Sequence, residues 1–312
     1  MNHIGNVIKE HRNMLHMSRK ALSDNICSDK YLYMIEKGER TPSSEITRLL
    51  GDKMGVDLFK YHIYLDCKNP VQICYYIEMF YKSRRENDLV SLVEISEEAR
   101  QIPDFGKEPW IYEIELNYLM VQVLGKEDFV NSIPSIQKII TKMEQKRLYD
   151  VCLAFYYVLL STCYQMARDI KSTRAIVMLA NETIKGKEKI AKYVQVIVAV
   201  KINIITMHYL AGELDQVIEE SLKLVQYQNE MCYHTCLHHT LFYLAYAHYQ
   251  HGWEEDGIEW FQKALSLMIV HHRDKDMYYL SSYGIFDVII RDERVPKDLV
   301  KKIKSVYSGI KI

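Results

Sequence analysis

The sequence predicts an all-α protein, with a small head of short helices followed by a long array of helix pairs. Three observations lead there. Apolar residues recur at helical spacing along most of the chain, and β-branched residues are scattered rather than alternating. Only 12 Gly and 6 Pro interrupt 312 residues, so breaker-free stretches are long. Candidate turn residues (Asn87, Gly125, Arg168, Gly212 and Gly252) recur at intervals of 38, 43, 44 and 40 residues. A content of 48% hydrophobic and 26% charged residues separates the chain from disordered sequences.

In the head, Ile4, Val7, Ile8, Met14 and Leu15 form the apolar stripe of a first helix. Ser18 is placed to cap a second, Arg19 to Ile26, with Leu22 and Ile26 inward. Cys27 makes a tight turn, Ser28 caps a third helix over Asp29 to Lys37, and Gly38 supplies the left-handed residue that ends it. Ser43 or Ser44 caps a fourth, running through Met54 with Ile46, Leu49, Leu50 and Met54 as its core face. A fifth spans Asp57 to about Asp66. The cap–turn–cap unit in the middle is the geometry of a helix-turn-helix.

The stretch from Met17 to Ser43 resembles the lambda-repressor-like, or Xre-type, helix-turn-helix family. The resemblance rests on the cap before helix two, Leu32 and Ile35 in the recognition helix, and Glu36, Gly38 and Pro42 after them. It implies that Arg12 pairs with Glu36. Two positions depart from the family pattern: His16 stands where many members have glycine, and the turn before Ser28 is short by one residue.

With Leu32, Ile35 and Glu36 facing the scaffold, helical geometry leaves Asp29, Lys30, Tyr33, Met34 and Lys37 outward. The first residues of such a helix approach base edges, so Ser28, Asp29, Lys30 and Tyr33 are the expected readers. Arg19, Arg40 and the Ser43 cap are expected at phosphates. Bulk charge contributes little to this expectation. The whole chain is −1, and residues 1–66 hold 10 Lys/Arg against 9 Asp/Glu.

From Pro70 onward the helix pairs resemble tetratricopeptide repeats. The last is the clearest, with Leu244, Ala245 and His248 before Gly252, then Gly257, Phe261 and Ala264. Corresponding slots hold Val217, Ser221 and Leu224 in one earlier copy and Thr173, Val177 and Ala180 in another. A closing pair runs about Asp276 to Arg291 and Lys297 to Tyr307. The resemblance implies a right-handed solenoid whose first helices line a concave groove. Counting back from each turn places His239, Phe242, Tyr243, Tyr246 and Tyr249 on that lining. Ile202, Asn203, Thr206 and Tyr209 precede them, then Val158, Thr162 and Gln165, then Glu115 and Gln122. Rings interspersed with amides and hydroxyls suit a short extended peptide, although packing between repeats competes for Phe242 and Ile202.

The boundaries expected are 1–66 for a DNA-binding head and 70–312 for a peptide-sensing and dimerising array. That combination resembles the peptide-pheromone-responsive regulators of Gram-positive bacteria, the Rgg/PlcR/PrgX type. The resemblance implies a homodimer on a palindromic duplex operator, in which a signalling oligopeptide alters promoter binding (quorum sensing). A DNA-tethered scaffold gripping a folded protein is the alternative.

No enzyme, cofactor or metal is expected. The sequence has no glycine-rich phosphate loop and no nucleophile elbow. Cys232, Cys236 and His239 share one helical face at i, i+4 and i+7, with His234 and His238 beside them, but one helix start seldom completes a zinc site. His248/His251 and His271/His272 read as surface or turn residues. Seven cysteines, odd in number and set in helical patterns, predict a reduced cytoplasmic protein. The opening residues carry charges where a signal peptide needs its apolar run. Val194 to Leu210, broken by Lys201, Asn203 and His208, is expected to fall short of a membrane span.

Overall fold

Serine caps set the head. In a computed structural model, which describes residues 2–146, 150–271 and 274–307, helix α1 spans Ile4–Met14 and α2 Arg19–Ser23. Helix α3 spans Asp29–Glu36 and α4 Ser44–Met54. The hydroxyls of Ser18, Ser28 and Ser43 accept from the amides of Ala21, Tyr31 and Ile46 at 3.0, 3.1 and 3.3 Å. Each satisfies an amide that the first helical turn cannot. The expected fifth helix is a 3-10 turn, Phe59–Tyr64.

Three details differ from expectation. Helix α2 stops at Ser23 rather than Ile26, because Asn25 takes a left-handed conformation (φ +61°), which asparagine tolerates. Met14 and Leu15 lie exposed, because α1 ends there and His16 (φ +52°) turns the chain away. That left-handed backbone accounts for glycine being common at the His16 position in the family. On α4, Ile46 and Leu49 are only half-buried, while Thr47, Leu50 and Met54 are buried.

Ile8, Leu22, Leu32, Ile35 and Leu50 form the fully buried centre of the head. Helix α1 packs so closely on α3 that a Cβ at Gly5 would sit 1.8 Å from the Ile35 carbonyl oxygen, so only glycine fits.

Helices α5 (Pro70–Glu86) and α6 (Leu89–Arg100) pack together and α7 (Ile111–Met120) packs on α6, while α8 (Phe129–Lys146) packs on α9 (Asp150–Met166). Helix pairs follow: α9 with α10 (Ile170–Ile184), α11 (Val194–Leu210) with α12 (Leu214–Glu230), and α13 (Leu237–Gln250) with α14 (Glu254–His271). Four of the five expected turn residues, Asn87, Arg168, Gly212 and Gly252, have positive φ. All four turns repeat one hydrogen-bond pattern. The amide of Gly252, for example, donates to the Tyr249 carbonyl at 3.2 Å, and that of Trp253 to His248 at 3.0 Å. This closes the free carbonyls at each first helix's end. The exception is the turn expected at Gly125, where a π turn (Val121–Gly125) prolongs α7 and the left-handed residue is Glu127 instead. Val217, Ser221, Leu224, Thr173, Val177, Ala180, Phe261 and Ala264 are all buried, as the repeat slots require. The chain continues with α15 (Asp274–Ser281), α16 (Gly284–Ile290) and α17 (Lys297–Val306).

The compact units are Met1–Val121 and Gln122–Ile312. The boundary expected at 66–70 falls inside the first, because α5 packs on α1 and on the 3-10 turn. The Asn2 side chain also donates to the carbonyls of Cys67 and Lys68 at 2.6 and 2.9 Å. Within the first unit, Arg84 and Glu113 form an ion pair at 2.7 Å with neither side chain exposed. Asn117 joins it to Ser96 at 2.9 Å, so α5, α6 and α7 share one buried polar network.

In the second unit, Ala191–Leu210 is long and apolar enough to cross a membrane, contrary to the sequence expectation. Its central window is 61% buried against α9, α10, α12 and α13, the setting of a core helix.

Candidate functional site

In the head, the helix bearing the expected reading face is braced from beneath. Glu36, buried, accepts from Arg12 Nε at 2.6 Å and Nη2 at 3.2 Å, and Arg12 Nη1 donates to the Met17 carbonyl at 2.8 Å. Arg19 Nε donates to Glu36 Oε2, the oxygen that also accepts from Arg12 Nη2, at 3.0 Å. The guanidinium of Arg19 also lies 5.0 Å from the centre of the Tyr33 ring, with Lys37 Nζ at 5.7 Å. Arg19 therefore ties α2 to α3, an internal role that its expected place at a phosphate did not include.

Above this brace, Ser28, Asp29, Lys30, Tyr33, Lys37, Arg40 and Ser43 are all exposed. Lys30, Lys37 and Arg40 place cations along one edge of the helix, and Ser28 and Ser43 keep hydroxyl protons able to donate while their oxygens cap. This arrangement can meet a phosphate backbone and present short polar side chains to base edges.

The second candidate region departs from expectation. Asn203, buried, donates through Nδ2 to the Val158 carbonyl, Ser161 Oγ and Thr162 Oγ1 at 3.0, 2.6 and 3.3 Å. Gln165 Nε2 donates to the Asn203 carbonyl at 2.9 Å, and Thr206 Oγ1 to the Ile202 carbonyl at 2.9 Å. Asn203 and Gln165 join α9 to α11 rather than facing open space, since an amide buried between helices needs partners there, while the Thr206 bond stays within α11.

Phe242, Tyr243 and Tyr246 are fully buried, because α15 and α16 pack over α13. Tyr246 donates to the Leu280 carbonyl at 2.9 Å, and the hydroxyls of Tyr243, Tyr279 and Tyr283 interlink at 2.9, 2.7 and 3.4 Å. Burial pushes the Tyr243 and Tyr246 phenols well above their ordinary range, so both remain neutral donors. Tyr249 donates to Asp292 at 3.1 Å, and His239 faces Asp276. Gln122 is exposed and donates to Asp128 at 2.9 Å; Glu115, half-buried on α7, lies in the first unit.

Tyr209 keeps an open side. It lines a depression of about 540 Å³ with Arg168, Leu210, Leu214, Gln250 and Tyr283, within the roughly 300–1,000 Å³ usual for ligand clefts. Burial pushes its phenol up to about 12. Arg168, Gln250 and Tyr283 were missed from sequence. The available signal was Tyr279 and Tyr283 at i, i+4 spacing, a second tyrosine stripe to match that of α13.

The cysteine–histidine cluster is also rearranged. Cys232 and Cys236 have positive φ (+50° and +61°) and precede α13, so they do not share a helical face with His239. His271 and His272 lie outside the residues whose side chains are described.

Residues 8–60 match the helix-turn-helix family model. The head is a helix-turn-helix domain. No curated protein matches the chain in sequence. Among solved structures, its fold is similar to PlcR of Bacillus thuringiensis, solved with the peptide PapR7 and DNA, at TM-score 0.66 and 13% identity over 94% of this chain and 100% of PlcR. It is also similar to ComR from S. thermophilus, solved with DNA and its signalling peptide ComS, at TM-score 0.52 and 14% identity over 92% of this chain and 100% of ComR. The helix-turn-helix domain and the helix pairs behind it thus occur together in both folds.

Proposed function

We propose that the chain is a sequence-specific DNA-binding transcriptional regulator whose helix-pair array binds a short signalling peptide and thereby changes promoter binding. The observation that carries this reading is the extent of the likeness to PlcR, which runs through the helix-turn-helix domain and the array together. PlcR and ComR were each solved holding a peptide and DNA. The exposed face of α3 and the residues that follow it supply this chain's DNA contacts: Lys30 and Tyr33 at base edges, Lys37, Arg40 and the α4 cap Ser43 at phosphates. The depression around Tyr209 and Arg168 offers a peptide rings for its side chains and a guanidinium for a carbonyl or carboxylate. The regulator acts in the cytoplasm as a homodimer on a palindromic operator, since a head of net charge +1 gathers too few phosphate contacts to bind tightly alone.

The test pairs thermal unfolding of the full chain with short synthetic peptides encoded beside its gene, and footprinting of the adjacent promoter. A cognate peptide raises the melting temperature by mass action and alters a footprint of two half-sites about 10 bp, or a multiple, apart. A stoichiometric folded protein partner with no peptide response would favour the scaffold, and a single asymmetric footprint would remove the dimer.

A further inference from the structure

The first turn of α13 carries adjacent histidines, His238 and His239, that both face Asp276 on α15. Their Nε2 atoms lie 3.2 and 3.6 Å from the same carboxylate oxygen, Oδ2. All three residues offer ligand atoms within 4.8 Å of one another. The side chains are 1%, 14% and 13% exposed, so the cluster is shielded yet open on one side.

Hydrogen bonding accounts for only part of this geometry. His238 Nε2 lies within hydrogen-bond reach of Oδ2 at 3.2 Å, whereas His239 Nε2, at 3.6 Å from the same oxygen, does not. In a tetrahedral zinc site, nitrogen and oxygen ligands each stand about 2.0–2.2 Å from the metal, which separates neighbouring ligand atoms by roughly 3.3–3.6 Å. The contacts from His238 and His239 to Asp276 fall at or close to that separation. Two imidazoles and one carboxylate are also a ligand set suited to zinc-class ions and leave a fourth position open.

We propose that His238, His239 and Asp276 form a binding site for one divalent transition-metal ion of the zinc class, which cross-links α13 to α15. The ion would fix α15 beside the layer in which Tyr246 donates to Leu280 and Tyr243 meets Tyr279. From sequence no metal site was expected: the grouping of Cys232 and Cys236 with His239 is set aside there, and Asp276 lies 37 residues further on, where only the fold brings it to His239.

The full chain, stripped with chelator and dialysed, is titrated with Zn²⁺ and separately with Co²⁺. The expected result is one equivalent bound with a rise in melting temperature, and for Co²⁺ the visible absorption of a four- or five-coordinate ion. His239→Gln and Asp276→Asn abolish this step, while His234→Gln, at an exposed position outside the cluster, leaves it intact. His239 is only half-buried, so its substitution keeps the test available if Asp276→Asn fails to fold. Absence of uptake by the folded wild-type chain would overturn the proposal. Uptake unchanged in folded His239→Gln would do the same.

Discussion

Arg12 Nε lies 2.6 Å from Glu36 Oε1 in the interior of the helix-turn-helix domain, and Arg19 closes on the second oxygen of that carboxylate. One buried acid thus orients two arginines from two helices and fixes the slope of α3. Glu36→Gln strands Arg12, whose side chain is only 10% exposed. The expected loss is roughly 2–4 kcal/mol, below the full value for a buried pair because Arg19 is 39% exposed. Urea unfolding followed through the head reads it; a change under about 0.5 kcal/mol would place the pair among ordinary surface contacts.

Lys30 stands on the exposed side of the same helix. Lys30→Ala is expected to leave stability within about 0.5 kcal/mol while weakening operator binding by about 1–3 kcal/mol, with specificity relaxed at one position. Anisotropy titrations against operator and scrambled duplex at several salt concentrations separate the possibilities. Equal losses on both duplexes, with the salt slope reduced by about one, would make Lys30 a phosphate contact instead.

His11 donates to or accepts from the Tyr61 hydroxyl at 2.8 Å, joining α1 to the 3-10 turn. Burial first, and Lys60 second, lower its pKa from the ordinary 6.5. The unfolded chain therefore takes up the proton before the folded one does, and stability rises with pH wherever that holds. The contribution is complete above the unfolded value and declines as pH falls from there toward the lowered folded value. His11→Gln keeps a hydrogen-bonding group without titrating. The wild-type minus His11→Gln difference in melting temperature should shrink as pH drops from about 7.5 to 5.5. A flat difference would show that the imidazole titrates alike in both states.

The head was legible in sequence because its determinants are local. A serine three residues before an orphan amide, or a residue that must turn left-handed, is read from neighbours in the chain. The turns at Asn87, Arg168, Gly212 and Gly252 were legible for the same reason. The array's lining was not. Tyr243 and Tyr246 occupy positions that would face a groove if the pairs ended at α14. What buries them is α15 and α16, more than thirty residues later, and no local pattern states where a terminal helix will dock. Asn203 was expected on the groove lining, but its amide is satisfied by partners on α9 that are 41 to 45 residues away.

Arg84 and Glu113 were also invisible in sequence, reading as two unremarkable charges 29 residues apart. Their ion pair is fully buried, and Arg84 further donates to Asn117 Oδ1 from Nε at 2.8 Å and from Nη2 at 2.5 Å. Desolvation of two such charges nearly cancels their attraction, whereas leaving one unpaired does not. Arg84→Met alone should therefore cost about 3–5 kcal/mol, because Glu113 remains in the interior without its cation. The double variant Arg84→Met with Glu113→Leu should recover most of that loss and could match the wild type, apart from the cost of an Asn117 deprived of its donor. Urea unfolding of the three chains forms the comparison. A double variant no more stable than Arg84→Met would mean that the network's hydrogen bonds to Asn117, and not the charge pairing, hold α5 against α7.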